Sequence, residues 1–459
     1  MKTEGRVEGS FRDPSGQLFY QNGVLFRSIS YCYKEEYDFF INSGLYTSLV
    51  DTRLLIPHEE VTDSVRHTGK TYKIIQPKII PLISYSYEWC FSQIQQAALT
   101  TLEIQKQALL FGMSLKDASA YNIQFLDGRP IFIDTLSFER YKEGKPWTAY
   151  RQFCQHFLAP LALMHYTDVR LNQLLRIYID GIPADLAASL LPATTWLRFS
   201  LLTHIHLHAG SQKYFGNKSI RKTRGNVSRL AMNGIIDNLE STVRKLKWKP
   251  EKTVWADYYA QTNYSAEAHE HKKQIVSEFL DQVRPSAVWD FGANTGTFSR
   301  LAAIRGIETV SFDMDPAAVE KNYLECLEQK ETHILPLLLD LSNPSPGTGW
   351  ENRERMSLME RGPVEMAFTL ALIHHLAIHN NLPFLKIASF FSSVCTFLVI
   401  EFVPKTDSQV QRMLDAREDI FTDYTREAFE KTFALFFDIK NSAPIKGSNR
   451  ILYLMEKRS

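Results

Sequence analysis

The sequence predicts an α/β chain of two domains, with a doubly wound parallel sheet in its second half. One observation is the segment 288–300, where an apolar run ends in an acid and is followed by two glycines and a helix-forming stretch. The other is that strand-like and helix-like stretches alternate from there towards the C-terminus. Such alternation is typical of parallel strands joined by crossover helices.

The glycine segment is a candidate ligand cradle. Asp290 ends the apolar strand, and Gly292, Asn294 and Gly296 follow in the turn. Glycines let the backbone approach a ligand closely, and the helix that begins after them presents free N–H groups. A dinucleotide site would have Gly-x-Gly-x-x-Gly, but Asn294 stands where the middle glycine would be. The sequence therefore favours a ligand without a pyrophosphate.

Two further acids end the next predicted strands. Asp313 closes the apolar run 309–312, about 20 residues beyond the turn, where a ribose-binding acid is expected. Asp340 closes the apolar run 334–339. Because parallel strands end at one edge of a sheet, the three acids are expected to line one pocket. Later strands are predicted at 364–370 and 396–400, with helices near 384–394 and 408–418.

The string Asp-Phe-Gly-Ala-Asn-Thr-Gly at 290–296 resembles the first motif of the class I S-adenosylmethionine-dependent methyltransferases. The resemblance covers residues 250–459 and implies a Rossmann-like methyltransferase domain with S-adenosylmethionine as cofactor. It implies that Asp313 binds the ribose, that Asp340 flanks the adenine, and that Tyr264 contacts the cofactor from a tyrosine-rich segment before the sheet. The implied cofactor residues are Asp290, Gly292, Asn294, Gly296, Asp313, Asp340 and Tyr264. The second half also looks loosely like bacterial methyltransferases associated with nodulation factors.

Three residues are candidate bases for the methyl acceptor. His374 and His375 follow the fourth predicted strand, and Glu401 ends the fifth, at the edge where the methyl group should emerge. The alternative for the histidines is structural, with one ring packed under the cofactor and the other capping the next helix. Methyl transfer depends mostly on alignment, so the acceptor is not identified. The motifs of amino-methylating and cytosine C5 enzymes are missing, which favours a small molecule, a sugar or lipid derivative, or a protein over nucleic acid.

The first half contains a second group of polar residues, Asp117, Asn122 and Asp134. Protein kinases arrange a catalytic base and two magnesium ligands in this order: an acid, an amide five residues later, and a second acid beyond a short hairpin. The group resembles that set, closest to the small-molecule phosphotransferases. The resemblance implies an α+β kinase-like domain in front of the methyltransferase domain, with a Mg-ATP site.

The first half also departs from the kinase pattern. No glycine-rich phosphate loop occurs in residues 1–90, Lys116 precedes Asp117, and Thr135 follows Asp134. No strand lysine is evident, although Arg27 could take its place. A degenerate, pseudokinase-like domain is therefore favoured, with an active kinase and an unrelated helical domain as alternatives.

Composition sets the domain boundaries and the cellular setting. Six basic residues and no acid lie in 213–229, and the methyltransferase pattern begins after 249. The predicted domains are a kinase-like domain at 1–212, a basic linker at 213–249 and a methyltransferase domain at 250–459. Lys and Arg number 52 against 51 Asp and Glu, which gives no general attraction to nucleic acid.

Five scattered cysteines suggest buried thiols in a reducing compartment. The alternating His204, His206 and His208 would share a face only on a strand, and a helix there is equally compatible, so no metal site is predicted. No uncharged apolar run reaches the roughly 18 residues of a membrane span. A cytoplasmic, bacterial protein is expected, and its oligomeric state is open.

The predicted function is S-adenosylmethionine-dependent methyl transfer to an unidentified acceptor. One alternative is an ATP-dependent phosphotransferase or a bifunctional kinase and methyltransferase. The other is a non-enzymatic scaffold that binds nucleotides.

Overall fold

A computed structural model describes residues 4–61, 70–207, 227–250, 265–415 and 418–458. Two compact units divide the chain. The N-terminal unit is Met1–Lys249 with the segment Gly347–Arg355, and the C-terminal unit is Pro250–Pro346 with Met356–Ser459. Tyr264 and His208 lie outside the described residues, so the predictions made for them stay predictions.

The N-terminal unit begins with a five-stranded antiparallel sheet in the order β1-β2-β3-β5-β4. Helices Lys34–Asn42 and Leu45–Asp51 follow the third strand. The hairpin between the second and third strands turns at Asn22 and Gly23, which both have positive φ, as a tight two-residue turn requires. The strands are β1 (Gly5–Arg6), β2 (Gly16–Gln21), β3 (Val24–Ser30), β4 (His58–Val61) and β5 (Thr71–Pro77).

A long helix, Phe91–Leu110, follows the sheet and buries Ile94, Ala98, Thr101 and Gln105 at helical spacing. Four short strands come next and form two antiparallel pairs, β6 with β9 and β7 with β8. They are β6 (Met113–Leu115), β7 (Ile123–Leu126), β8 (Arg129–Phe132) and β9 (Phe138–Arg140). This order of sheet, long helix, loop and hairpin agrees with the α+β architecture expected for the first half, and its kinase-like character stays a prediction.

Short helices complete the N-terminal unit. They include Tyr150–Phe153, Cys154–Leu158, Ala159–Tyr166, Val169–Gln173, Leu174–Ile177, Ala184–Leu190, Ala193–Leu197, Phe199–Leu201 and Leu202–His206. The helix Arg229–Lys245 lies in the predicted linker and buries Met232, Ile236, Leu239 and Val243. Gln95 donates to the carbonyls of Val243 and Leu246 at 2.8 and 2.7 Å. Residues 229–245 are therefore a packed helix, whereas residues 213–226, which hold most of the basic run behind the linker prediction, lie outside the described residues.

The C-terminal unit has a seven-stranded sheet in the order β12-β11-β10-β13-β14-β16-β15. The first five of these strands are parallel, and β16 is antiparallel to both β14 and β15. The strands are β10 (Ala287–Phe291), β11 (Glu308–Asp313), β12 (Ile334–Leu338), β13 (Val364–Thr369), β14 (Cys395–Phe402), β15 (Phe437–Pro444) and β16 (Ile451–Lys457). This sheet confirms the doubly wound, Rossmann-like fold class that the resemblance to class I methyltransferases implied.

Helices connect the parallel strands and cover the sheet. The longer ones are Ala266–Val283, Pro316–Gln329 and Phe384–Val394, and the shorter ones are Ser299–Ala303, Leu358–Arg361, His375–His379, Ser408–Asp415 and Arg426–Phe433. The first helix packs Ile275, Val276 and Phe279 against Val288 of β10 and Val399 of β14 in one apolar core. This packing fixes the edge at which β10, β11 and β13 end.

Three observations concern the predicted cellular setting and metal sites. In the part of the chain that the structure describes, no helix is long and apolar enough to cross a membrane. The same part contains no group of three or more His, Cys, Asp or Glu side chains that could hold a metal ion. All five cysteines are free, and Cys32 is exposed whereas the other four are buried.

Candidate functional site

The candidate site lies where the strand order of the C-terminal sheet reverses. β10 is flanked by β11 on one side and by β13 on the other, so the loops that follow β10 and β13 leave towards opposite faces. Ligands of doubly wound sheets bind in the crevice at such a switch point. Asp290 and Asp313 end two of these strands, and the loop with His374 and His375 follows the third.

The turn after β10 has a backbone that favours glycine. Gly292, Asn294 and Gly296 have φ values of +75°, +52° and +81°. The N–H groups of Gly292 and Ala293 both donate to the carbonyl of Phe312 at 2.9 Å. The turn is therefore tied to β11, and Asn294 takes the left-handed conformation that this residue type tolerates best after glycine.

The two glycines of the turn are required for different reasons. A Cβ on Gly296 would lie 2.6 Å from Asn322 Oδ1, so the protein leaves no room for a side chain. A Cβ on Gly292 would lie 3.4 Å from Leu372 Cδ1, which is ordinary van der Waals contact. At Gly292 a side chain is therefore disfavoured mainly by the positive φ of the backbone and not by lack of space.

Asp313 joins β11 to this turn. Its Oδ2 accepts the N–H of Asn294 at 2.8 Å, and its Oδ1 accepts the N–H of Asp315 at 2.9 Å. Burial raises the pKa of Asp313 to about 6, against the opposing effect of these two hydrogen bonds. A carboxylate has roughly four lone-pair positions, so it can accept two hydroxyl groups in addition.

Asp290 lies below the turn and supports it. The carboxylate is buried and its Oδ2 accepts the hydroxyl of Ser299 at 2.7 Å, at the start of helix Ser299–Ala303. Ser311 in turn donates to the Ser299 hydroxyl at 2.7 Å. Burial raises the pKa of Asp290 to about 7. The side chain therefore fixes the helix start that follows the glycine turn.

Asp340 follows β12 and is exposed at the same edge of the sheet. Its Oδ1 accepts the N–H and the hydroxyl of Ser342 at 2.8 and 2.6 Å. The N–H of Leu339 donates to the carbonyl of Asp313 at 2.8 Å. The ends of β11 and β12 are therefore held side by side, and the two predicted adenosine-binding acids lie on neighbouring strands.

His374 and His375 differ in their access to solvent. His374 is fully buried, and neither ring nitrogen has a hydrogen-bond partner among the described residues. Burial holds the pKa of His374 well below its usual value, and it lowers the pKa of His375, which is partly exposed, to about 4. The ring centroids are 4.3 Å apart. Both rings are therefore neutral at neutral pH, and a neutral imidazole can accept a proton.

Glu401 lies in a buried ionic cluster and not in open space. Its Oε2 is 2.6 Å from Lys272 Nζ, and its Oε1 is 3.3 Å from Arg450 Nη1. Arg450 also pairs with Asp407 at 2.7 Å. The N–H of Ala371 donates to Glu401 Oε2 at 2.9 Å. We call Lys272, Glu401, Arg450 and Asp407 the ionic cluster.

The ionic cluster restrains the loop that carries the histidines. Ala371 precedes His374 by three residues and has a φ of +53°, which a non-glycine residue rarely adopts. Its hydrogen bond to Glu401 holds this backbone in place. Sequence reasoning missed Lys272, Arg450 and Asp407. The burial of Lys272 could have been predicted from its helical spacing. It shares one face of the helix with the apolar residues Ala268, Ile275 and Phe279.

In the N-terminal unit, the three kinase-like residues are brought together. Asp117 accepts the N–H of Ser119 at 2.9 Å and also bonds with the Asn122 side chain. Asn122 Nδ2 donates to Ser137 Oγ at 3.3 Å, and Ser137 donates to Asp134 Oδ2 at 2.7 Å. Burial raises the pKa of Asp117.

Arg27 supplies a protein cation to this group. It lies on β3, and its Nη1 is 2.5 Å from Asp134 Oδ1, while its Nη2 is 2.9 Å from Asp13 Oδ2. The predicted magnesium ligand Asp134 is therefore already paired with a guanidinium.

Of the alternating histidines, the two that the structure describes, His204 and His206, do not converge. His204 bonds with Tyr150 at 2.6 Å and with Asn238 at 2.9 Å, whereas His206 bonds with Thr195 at 2.9 Å. Each of these two rings has separate protein partners.

Comparisons with solved structures find partial likenesses. The bifunctional kinase-methyltransferase WbdD matches with 14% identity and a TM-score of 0.29, over 44% of this chain and 41% of that chain. Magnesium protoporphyrin IX methyltransferase from Synechocystis PCC 6803 matches with 16% identity and a TM-score of 0.30, over 44% of this chain and 93% of that one. N-methyltransferase NodS from Bradyrhizobium japonicum WM9 matches with 9% identity and a TM-score of 0.30, over 42% of this chain and 99% of that one.

The comparison of sequences is more decisive. No protein-family model matches the chain. Nodulation protein NoeA of Rhizobium meliloti strain 1021 is 36% identical over an alignment of 465 positions, which covers 99% of this chain and 96% of that protein. Similarity of this extent spans both units, so the chain belongs to the family of the nodulation protein NoeA.

Proposed function

We propose that this protein is an S-adenosylmethionine-dependent methyltransferase whose cofactor binds at the switch point of the C-terminal sheet. The observation that carries the proposal is the contact between Asp313 and the N–H of Asn294, which joins a ribose-type acid to a glycine turn. The turn lacks the spacing that a pyrophosphate requires. A ligand with a ribose and a small polar tail fits this combination better than a dinucleotide.

The proposed roles of the site residues follow from their positions. Asp313 accepts the ribose hydroxyls, Asp340 borders the adenine, and the turn from Gly292 to Gly296 lies against the rest of the cofactor. Asp290 holds the turn from below through Ser299. When bound, S-adenosylmethionine supplies an electrophilic methyl group, so the chain must align the acceptor and remove its proton where necessary.

We propose His375 as the proton acceptor. It is partly exposed, whereas His374 is fully buried and Glu401 is engaged with Lys272 and Arg450. The pKa of His375 is lowered to about 4, so its ring is unprotonated at neutral pH but is a weak base, and the proposal rests on its position and partial exposure. His374 and Glu401 then act by positioning the loop rather than by proton transfer.

The acceptor is proposed only as a class: a small molecule, a sugar or lipid derivative, or a protein. The full-length relationship to a nodulation protein supports a role in the same process. For the N-terminal unit we propose a kinase-like domain without phosphoryl transfer, because Arg27 pairs with the acid that would hold magnesium.

Calorimetry on the full chain tests this proposal. S-adenosylmethionine should bind, and Mg-ATP should not. Asp313→Ala should weaken S-adenosylmethionine binding, whereas Asp438→Ala, which removes an exposed acid of the same unit, should leave it unchanged. If S-adenosylmethionine does not bind, or if both variants bind it like the parent, the switch-point site is wrong. Mg-ATP binding with phosphoryl transfer would instead support the bifunctional alternative.

A further inference from the structure

The N-terminal unit has a cavity of about 230 Å³ whose lining does not include the kinase-like residues Asp117, Asn122 and Asp134. One wall comes from the first residues of the chain, and the other from the segment Gly347–Arg355, which belongs to this unit. The lining residues are Glu8, Phe11, Trp350, Glu351, Arg353 and Glu354.

Two large aromatic rings at this cavity are exposed. Trp350 is 66% exposed and Phe11 is 51% exposed. A single exposed apolar side chain is normal, but two exposed rings that line one concave surface leave substantial apolar area in water. Such an arrangement is expected where a ligand covers the rings.

The segment that presents Trp350 has an unusual backbone. Gly349, Glu351 and Asn352 have φ values of +82°, +55° and +59°. Two adjacent non-glycine residues in this region are rare, and such strain persists only where the surrounding structure enforces it. Strained backbone of this kind is concentrated at ligand sites.

Glu354 is the group that enforces this conformation. It is buried, and it accepts Nε and Nη2 of Arg12 at 2.9 and 2.6 Å and the N–H of Trp350 at 2.9 Å. The next residue, Arg355, places its guanidinium 3.8 Å from the ring centroid of Tyr121. The backbone that carries the indole of Trp350 is therefore anchored before any ligand arrives.

The charges at the cavity indicate the ligand. Glu354 is paired with Arg12, so the charges left to face a ligand are the carboxylates of Glu8 and Glu351 and the guanidinium of Arg353. A cation would face Arg353, and an anion would face two carboxylates. A neutral ligand with many hydroxyl groups can donate to the carboxylates, accept from the guanidinium, and pack its C–H faces on the rings.

We propose that this cavity is a carbohydrate-binding site of the N-terminal unit, with Trp350 and Phe11 as stacking platforms. Its volume is below the roughly 300–1,000 Å³ typical of sites for drug-sized ligands, so it suits one sugar unit of a longer chain. The inference is independent of methyl transfer.

The full chain is titrated separately with cellotriose, maltotriose, triacetylchitotriose and choline, and tryptophan fluorescence reports the binding. Choline is the cationic probe. At least one trisaccharide should bind saturably. Trp350→Ala should weaken that binding about tenfold, the effect of losing one aromatic contact. Trp196→Ala is the matched control, because Trp196 is 51% exposed in the same unit but does not line the cavity.

Trp350→Phe retains a ring and should recover most of the affinity, since the proposal rests on stacking. Trp350→Ala and Trp350→Phe alter a side chain that is 66% exposed, so folding should be unaffected, whereas Trp196→Ala also removes a stacked contact with His206 at 4.4 Å and its folding must be checked by circular dichroism. The proposal is overturned if no trisaccharide binds, if choline binds more tightly than all three, or if Trp350→Ala and Trp196→Ala weaken binding equally.

Discussion

The substitution Glu401→Gln distinguishes two roles for Glu401. The sequence predicts a general base, whereas the structure supports a buried partner of Lys272 and Arg450. The side chains of Glu401 and Lys272 are 0% and 4% exposed, and the substitution removes the carboxylate that pairs with both Lys272 and Arg450. Removal of one partner from a buried ion pair typically costs about 3–5 kcal/mol, since the remaining charge is left uncompensated. We expect the C-terminal unit to lose stability by about this amount.

Hydrogen exchange with increasing urea is the appropriate measurement, because it follows peptides of the C-terminal unit separately in a two-unit chain. Glu456→Gln is the matched control. It breaks an ion pair with Lys440 whose side chains are 38% and 42% exposed, and such pairs contribute about 0–1 kcal/mol. Lys272→Met in the Glu401→Gln background should recover part of the loss, because it removes the buried charge that Glu401 neutralises in the parent.

One result would refute this reasoning. If Glu401→Gln retains the stability of the parent while methyl transfer is lost and its pH dependence shifts, Glu401 is a general base as the sequence suggested. Equal losses in Glu401→Gln and Glu456→Gln would also contradict the assignment of a buried cluster.

Three further predictions concern the switch point. Asp313→Ala should weaken S-adenosylmethionine binding by about 1.5–3 kcal/mol. In the parent, binding should weaken as pH falls through about 6, because Asp313 becomes protonated there. Calorimetry at several pH values measures both effects. Asp290 has a folded-state pKa of about 7, so its contribution to stability is present below about pH 4 and is lost as pH rises through 7. Asp290→Asn should therefore melt above the parent at pH 8, with the difference closing towards pH 5. Gly292→Val should abolish cofactor binding, whereas Gly306→Val, with the same φ of +75° and no neighbour within 4 Å, should only reduce stability.

The sequence predicts the parallel part of the C-terminal sheet well because buried parallel strands are continuous apolar runs. The run 364–370 corresponds to β13, and the run 396–400 lies within β14. The antiparallel strands β15 and β16 were not predicted. β15 is mostly exposed, so it has little apolar pattern, and sequence order does not reveal that β16 inserts between β14 and β15.

The ionic cluster was less accessible to prediction from the sequence. Its members Lys272, Glu401 and Arg450 are far apart in the chain, and charged residues are usually placed on the surface. Glu401 was noticed because it ends a strand, but its partners come from a helix and from the loop before β16. Only the folded chain shows that this carboxylate is neutralised.

Arg27 pairs with Asp134 in the N-terminal unit, much as Lys272 and Arg450 pair with Glu401. In kinases, two magnesium ions bridge the phosphates and are held by an acid and an amide, here in the positions of Asp134 and Asn122. The guanidinium paired with Asp134 carries one charge and can only donate hydrogen bonds to phosphate oxygens. A magnesium ion carries two charges and coordinates those oxygens directly. Magnesium would have to displace Arg27, which would then be left with Asp13 as its remaining acidic partner. In the described structure, the acid that the resemblance to kinases assigns to the metal is therefore paired with a guanidinium.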